Sequence, residues 1–303
     1  MKAIVCTKNG PPEVLQLQEV EKPSPKDDEI LIKVHAGTVT QGDVMLRKLN
    51  PLLLLPMRMF GVKRKRIPGH ELAGEVEAVG KDVTLFKPGD PVFGTTSGLS
   101  VGANAEYVCL PEQWPTGVLA GKPANLSFAE AAAVPVGGMA ALYILKDGDI
   151  QSGQKVLING ASGSVGTYAV QLAKHFGAEV TGVCSARSMD LVKSLGAEKV
   201  IDYTQEDFTQ NGQVYDVIFD AVGKTSPDRC KNSLKENGKF LTVQSTTHEN
   251  IKNLLYLREL VETRKLKPVI DRWYPLEQTA EAHRYVETGT KIGNVVITID
   301  GKP

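Results

Sequence analysis

Cysteine is scarce in this 303-residue chain. Its four thiols, Cys6, Cys109, Cys184 and Cys230, lie far apart with no Cys-x-x-Cys pair, which argues against a disulfide framework and fits reduced thiols. Net charge is also missing: 35 basic residues balance 35 acidic ones. No global field therefore draws nucleic acid or an anionic surface, and such a partner would need a local patch. No uninterrupted apolar run approaches the ~20 residues that span a bilayer. The longest apolar stretch, Leu49 to Val62, is broken by Pro51, Pro56 and Arg58. The leading MKAIVCTKNG has neither the apolar core of a signal peptide nor the Arg-rich pattern of a transit peptide. These absences give the expectation of a cytoplasmic protein, and no internal repeat or low-complexity tract complicates it.

What is present divides the chain by texture. Up to about residue 125, short alternating runs such as EILIKVHAG (Glu29 to Gly37) and GEVEAVG (Gly74 to Gly80), bounded by Gly and Pro, predict small antiparallel strands in a β-barrel-like domain. From residue 126 the pattern changes. Ser127 with Glu130 at capping-box distance opens a helical stretch interrupted near Pro135. Apolar strands then alternate with helices: Lys155 to Gly160, helix 164–176, Glu179 to Cys184, helix 188–195, a short strand at 199–201, Tyr215 to Val222, a helix around 228–234, and Lys239 to Val243. This alternation predicts an α/β fold with a doubly wound parallel sheet over 126–266. A last helix (277–287) and strand (294–299) in 267–303 look like a return to the first domain.

The stretch LINGASGSVGTYAVQLAKHFG carries the chemistry. Ala161-x-Gly163-x-x-Gly166 follows an apolar strand and opens a helix, the context in which a glycine pattern marks a dinucleotide site. Gly163 lets the backbone approach a pyrophosphate, Gly166 lets helix pack on strand, and the helix N-terminus offers N–H groups and a positive dipole end. An NAD site usually places an acid ~20 residues on to hold the ribose hydroxyl. Here that position reads Cys184-Ser185-Ala186-Arg187, with no carboxylate until Asp190. A hydroxyl and a guanidinium suit a 2′-phosphate, so NADPH is the expected cofactor.

With these motifs the chain resembles the medium-chain dehydrogenase/reductases, in their zinc-free quinone oxidoreductase branch, over nearly its whole length. The resemblance runs from MKAIVCTKNGPPEVLQLQEVEKPSPKDDEILIKV through the glycine turn, LGAEKVIDYTQEDF and YDVIFDAVG to GNVVITI. It implies a GroES-like catalytic domain, a Rossmann cofactor domain and an active site in the cleft between them. It carries cofactor contact to Gly160, Ser162, Gly163, Ser164, Val165 and Gly166 of the turn. Ser185, Arg187 and Tyr203 are expected near the 2′-phosphate, and Val222, Gly223 and Ser245 near the nicotinamide.

The same resemblance poses a metal question at Gly69-His70-Glu71, where the zinc-dependent branch presents a ligand. That branch takes its first ligand from a Cys in A-x-G-V-C, whereas AGTVTQGD puts Thr40 there. VPVGGMAAL offers no third ligand, and the four-cysteine structural loop is absent. Catalytic zinc needs three protein ligands, and His70 with Glu71 supplies at most two, so no metal is expected. Glu71 then reads as a structural polar contact. Without a Lewis acid, alcohol oxidation is hard. Hydride addition to a quinone or to the β-carbon of an enone is easier, because the new charge spreads over a π-system that hydrogen-bond donors can stabilise. Thr40, Asp43 orienting its loop, and His70 as proton donor are the catalytic candidates. The other reading is a nucleotide-binding sensor or regulatory protein without turnover, since fold does not imply function.

Between Asp43 and Glu71 there is no acid, yet Arg47, Lys48, Arg58, Lys63, Arg64, Lys65 and Arg66 flank LNPLLLLPM. Segment 47–66 reads either as a lid or as a peripheral contact with anionic lipid. No nucleic-acid partner is expected, because aromatic interleaving is missing. Finally, the family usually adds a sixth strand that joins two subunits edge to edge. After Ser245 this chain runs directly into an amphipathic helix at 250–263, leaving no room for a parallel crossover. A five-stranded sheet is expected, with the strand at Lys239 to Val243 as its edge or covered by that helix. The usual dimer should be weakened or replaced.

Overall fold

The computed structural model describes residues 1–49, 66–299 and 301. Two strands, β1 (Lys2–Cys6) and β2 (Leu15–Glu19), pair antiparallel at the start. β3 (Glu29–Thr38), α1 (Gln41–Lys48), β4 (Glu71–Val79), β5 (Pro91–Thr95), β6 (Tyr107–Pro111), β7 (Leu119–Gly121) and α2 (Phe128–Ala132) follow. The Ser127–Glu130 capping box is formed in both directions, as the sequence predicts. α3 (Pro135–Asp147) leads to β8 (Lys155–Asn159), α4 (Ser164–His175), β9 (Glu179–Cys184), α5 (Met189–Ser194), β10 (Lys199–Asp202) and β11 (Tyr215–Asp220). The last elements are α6 (Pro227–Cys230), β12 (Leu234–Thr242), α7 (Ile251–Glu262), β13 (Ile270–Pro275), α8 (Thr279–Glu287) and β14 (Asn294–Thr298).

These elements form two compact units. One comprises Met1–Val136, Glu249–Arg258 and Ile270–Pro303, and the other Gly137–His248 and Glu259–Val269. The sequence places the first junction at residue 126 and the return at 267. In the structure residues 126–136 and 249–258 pack with the first unit. One physical reason is visible in the backbone of Val136, which donates to the buried Glu71.

Within the first unit the described strands run β13-β14-β3-β4-β5-β7, with β6 also on β3. All pairs are antiparallel except β13 with β14. β13 was not foreseen: IDRWYP carries charge and a proline and lacks apolar alternation. Ile30, Ile32, Val34, Leu72, Val76, Val92 and Leu110 belong to one core cluster of this unit, and those of β3 and β4 are the buried face of the alternation read from the sequence.

The second unit holds a five-stranded parallel sheet in the order β10-β9-β8-β11-β12, a doubly wound arrangement with its switch between β8 and β11. Among the described residues no sixth strand joins it, and β12 is an edge paired only with β11. β12 begins at Leu234, earlier than expected, and a register shift separates Tyr215/Leu234 from Val217/Lys239. The helix expected at 228–234 is accordingly a single turn, started by Ser226 and Pro227 and ended by that early strand. Among the described residues no helix is long and apolar enough to cross a membrane.

Candidate active site

In the second unit every predicted cofactor residue lies at or beyond a strand's C-terminal end, where ligands of doubly wound sheets bind. β8 ends in a turn whose Gly160 has φ +80°. A Cβ on Gly166 would sit 2.0 Å from the Gly160 carbonyl oxygen, so only glycine lets α4 approach β8 this closely. Gly163 is the N-cap of α4 and makes no side-chain cap hydrogen bond, and a helix N-terminus is an end of the kind that suits an anion. Ser162, Ser164 and Val165 are half-buried around it. The turn therefore fits a pyrophosphate.

Ser185 follows β9 and Arg187 is exposed in the 3₁₀ turn after it. The Tyr203 N–H donates to the Cys184 carbonyl over 3.1 Å, which sets its backbone beside that of the residue before Ser185, and its side chain is 63% exposed. The structure thus brings the three residues together. Ser188, buried in the same turn, has a hydroxyl without a hydrogen-bond partner.

Val222, Gly223 and Ser245 also converge, at the ends of β11 and β12. The carboxylate of Asp220, fully buried, accepts from Asn159 Nδ2 (3.0 Å), Val222 N (3.1 Å) and Thr225 N (2.9 Å), shaping the turn after β11. Gln244 Nε2 donates to the Gly223 carbonyl over 3.0 Å, tying that turn to the loop after β12.

In the first unit the catalytic candidates occupy two short loops. Thr40 is the N-cap of α1: its hydroxyl accepts from Asp43 N (3.1 Å) and donates to Asp43 Oδ2 (2.6 Å), and its own N–H donates to Asp43 Oδ2 (2.8 Å). The one hydroxyl hydrogen of Thr40 is thus already spent on the cap. Two residues before it, Thr38 Oγ1 bonds Glu71 Oε2. Glu71 is 1% exposed, and its other oxygen accepts from Val136 N over 2.7 Å. Glu71 is a structural polar contact, as the sequence implies. Burial pushes its carboxyl up to about 8, against the pull of these two hydrogen bonds and with added repulsion from Asp43 and Glu249. Lys291 senses Glu71 and Asp271, and burial draws its ammonium down to about 8.

His70 Nε2 lies 2.8 Å from Ser97 Oγ, and Ser97 Oγ donates to Glu249 Oε1 over 2.7 Å. Thr95 Oγ1 donates to the other Glu249 oxygen. Sequence reasoning missed Thr95, Ser97 and Glu249. TTSGLS reads as a turn, and nothing in a linear pattern pairs it with a glutamate some 150 positions away. Among the described residues no group of three His, Cys, Asp or Glu side chains could hold a metal ion. Thr40, where a thiolate ligand would stand, is turned to its own helix. Among the described residues, then, none completes a three-ligand set with His70.

The basic segment needs one correction. Arg47 is 5% exposed: it bonds the Gly10 carbonyl and His283 Nδ1 (3.4 Å) and pairs with Glu287. It belongs to the interior of the unit, not to a surface patch. Lys48 lies 3.7 Å from Glu287, and the Arg66 carbonyl accepts from Cys6 N over 2.8 Å. Arg58, Lys63, Arg64, Lys65 and most of LNPLLLLPM lie outside the described residues.

Comparison with known proteins agrees with this architecture. Residues 26–143 match the alcohol dehydrogenase GroES-like domain, and residues 164–271 the zinc-binding dehydrogenase domain. A 2-methylene-furan-3-one reductase of Solanum lycopersicum is 34% identical, over 98% of this chain and 79% of that protein. A chloroplastic quinone-oxidoreductase homolog of Spinacia oleracea is 33% identical, over 95% of each. The solved quinone oxidoreductase of Coxiella burnetii superposes with a TM-score of 0.87 at 31% identity, covering 99% of both chains.

Proposed function

Because the chain belongs to the medium-chain dehydrogenase/reductase family, in its quinone oxidoreductase branch, we propose that it is an NADPH-dependent reductase of quinones or α,β-unsaturated carbonyls that works without zinc. An oxidoreductase using a nicotinamide cofactor comes with the family. The finer reading is carried by one observation: Ser185, Arg187 and Tyr203 gather at the ends of β9 and β10, where an NAD site would place a carboxylate.

When bound, NADPH supplies a hydride for the conjugated acceptor. The chain's own groups do the rest. The first turn of α4 holds the pyrophosphate through N–H groups, and Arg187 forks the 2′-phosphate. The turn held by Asp220 and the loop at Ser245 position the nicotinamide end. Asp43 holds Thr40 and the start of α1, and His70 supplies a proton to the substrate oxygen. The lack of a three-ligand set among the described residues supports acceptors whose charge is delocalised over those that need a Lewis acid.

NADPH consumption with a panel of quinones and enones tests the reading. Turnover with at least one class is expected. Tight NADPH binding without turnover on any member would favour the nucleotide-sensor alternative. A cytosolic setting belongs to the same proposal, and fractionation of cells expressing a tagged chain checks it.

A further inference from the structure

Asparagine is followed by glycine four times, at Asn9, Asn159, Asn211 and Asn237, and the structure treats the four differently. Ring closure between an asparagine side chain and the next backbone nitrogen is easiest before glycine, which has no side chain to crowd that nitrogen. It also needs a side chain free to swing onto it. Asn9 Nδ2 donates to the carbonyls of Leu46 (3.1 Å) and Leu49, and the Gly10 N–H donates to the Arg47 carbonyl over 3.1 Å. Asn159 Nδ2 donates to the buried Asp220 carboxylate over 3.0 Å, and the Gly160 N–H to the Val183 carbonyl over 3.0 Å. Asn211 Nδ2 donates to Glu206 Oε1 (2.7 Å), and its Oδ1 accepts from Gln213 N (3.0 Å). These three are half-buried. Asn237 is exposed, and among the described residues its side chain makes no hydrogen bond. Its backbone has φ +64°, in the left-handed region that few residues other than glycine enter.

We propose that Asn237 is a self-modification site, at which the folded protein converts an asparagine into aspartyl and isoaspartyl residues at the start of β12. The chemistry needs only water. As Gly238 N loses its proton to solvent base it attacks Asn237 Cγ; a C–N bond forms, and the bond to Nδ2 breaks, that nitrogen leaving as ammonia. Water then opens the five-membered imide at either carbonyl. Opening at Cγ leaves an aspartate in an ordinary chain. Opening at the main-chain carbonyl leaves the chain running through the side chain, one methylene longer, with the former main-chain carbon as a free carboxylate. The ladder leaves room for either product. Residues 235–238 lie between the two registers of β11 with β12, Tyr215 opposite Leu234 and Val217 opposite Lys239, so the extra methylene falls outside the paired rungs. The new negative charge stands on a strand that is an edge among the described residues, where charge opposes pairing with another chain. Ser245 lies past the other end of β12, away from the change.

The test needs no turnover. Folded, full-length protein is held in warm, mildly alkaline buffer and mapped by peptide mass spectrometry over time. Asn237 should convert first, with Asn9, Asn159 and Asn211 at least about 10-fold slower, since each must first give up hydrogen bonds that together account for such a factor. In urea those bonds are gone and the spread should collapse. As a second readout, an isoaspartyl methyltransferase with S-adenosylmethionine should esterify the aged, folded parent and scarcely label aged Asn237→Gly. That variant removes the side-chain amide yet suits the left-handed backbone, and circular dichroism shows that it is folded. Faster conversion at any of the other three asparagines, or equal labelling of parent and variant, overturns the proposal. A spread that persists unchanged in urea overturns the part assigned to the fold.

Discussion

Single residues divide the cofactor question from the acid-base question. Arg187 is exposed, and an unpaired guanidinium contributes little until a phosphate is there to fork. Arg187→Ala should therefore weaken NADPH by ~1.5 kcal/mol, near the lower end for a charged hydrogen bond, and leave NADH affinity unchanged. Parallel fluorescence titrations decide it, and equal losses for both nucleotides would refute the assignment. Glu71 makes a prediction about stability. An acid whose folded pKa of about 8 exceeds its unfolded value near ~4.3 keeps protons that the unfolded chain has already lost. Its contribution to stability is full below the unfolded value and fades as pH rises toward 8. The urea midpoint of the parent protein should thus fall more steeply between roughly pH 5 and 8 than that of Glu71→Gln, and parallel slopes would refute this. Legibility differs sharply at this scale. The position of Ser185 and Arg187 just after β9 was readable because the βαβ frame fixes where the second strand must end. Ser97 and Glu249 were not, because their meaning is a hydrogen bond across 152 positions that no local pattern encodes.

Secondary-structure elements were legible where a local signal and a tertiary demand coincide. The Ser127 cap, the glycine turn before α4 and the alternation of β3 and β4 are of this kind. They failed where pairing overrode propensity: β13 is a strand because β14 offers it a ladder, and α6 is cut short because β12 starts early. Two substitutions probe elements directly. Thr40→Ala removes the two hydrogen bonds of the Thr40 hydroxyl in the α1 cap, while the backbone N–H still donates to Asp43, and should cost ~1 kcal/mol in denaturant unfolding. An unchanged midpoint would mean that the cap is redundant. Gly166→Ala places a methyl group against the Gly160 carbonyl. It should distort the turn and abolish measurable nucleotide binding, whereas an ordinary binding isotherm would show that α4 can move away.

For the molecule as a whole, the expected five-stranded sheet ends at β12, whose outer backbone groups find no strand partner among the described residues. If no second subunit adds to this edge, hydrogen exchange along β12 should alternate, slow where amides face β11 and fast where they face outward. Uniformly slow exchange at working concentrations would reveal an edge-to-edge dimer. Metal content is likewise a property of the whole chain. Elemental analysis should find well under one zinc per chain, with activity surviving chelation. A stoichiometric, tightly held zinc would overturn the zinc-free mechanism.

The division of the chain into interleaved segments also has a consequence for the order of synthesis. One side of β3 is shared: Glu29 to Lys33 pair with β6, whereas Ala36 to Thr38 wait for β14, which leaves the ribosome much later. At ~5–20 residues per second, tens of seconds pass between the emergence of β3 and that of its final partner. The contiguous strands and helices of 137–248 become available in that interval. The three residues of β3 that lead to Thr40 and α1 therefore present an open edge while the rest of the protein is being made, and any nascent chain halted before β14 is left with it.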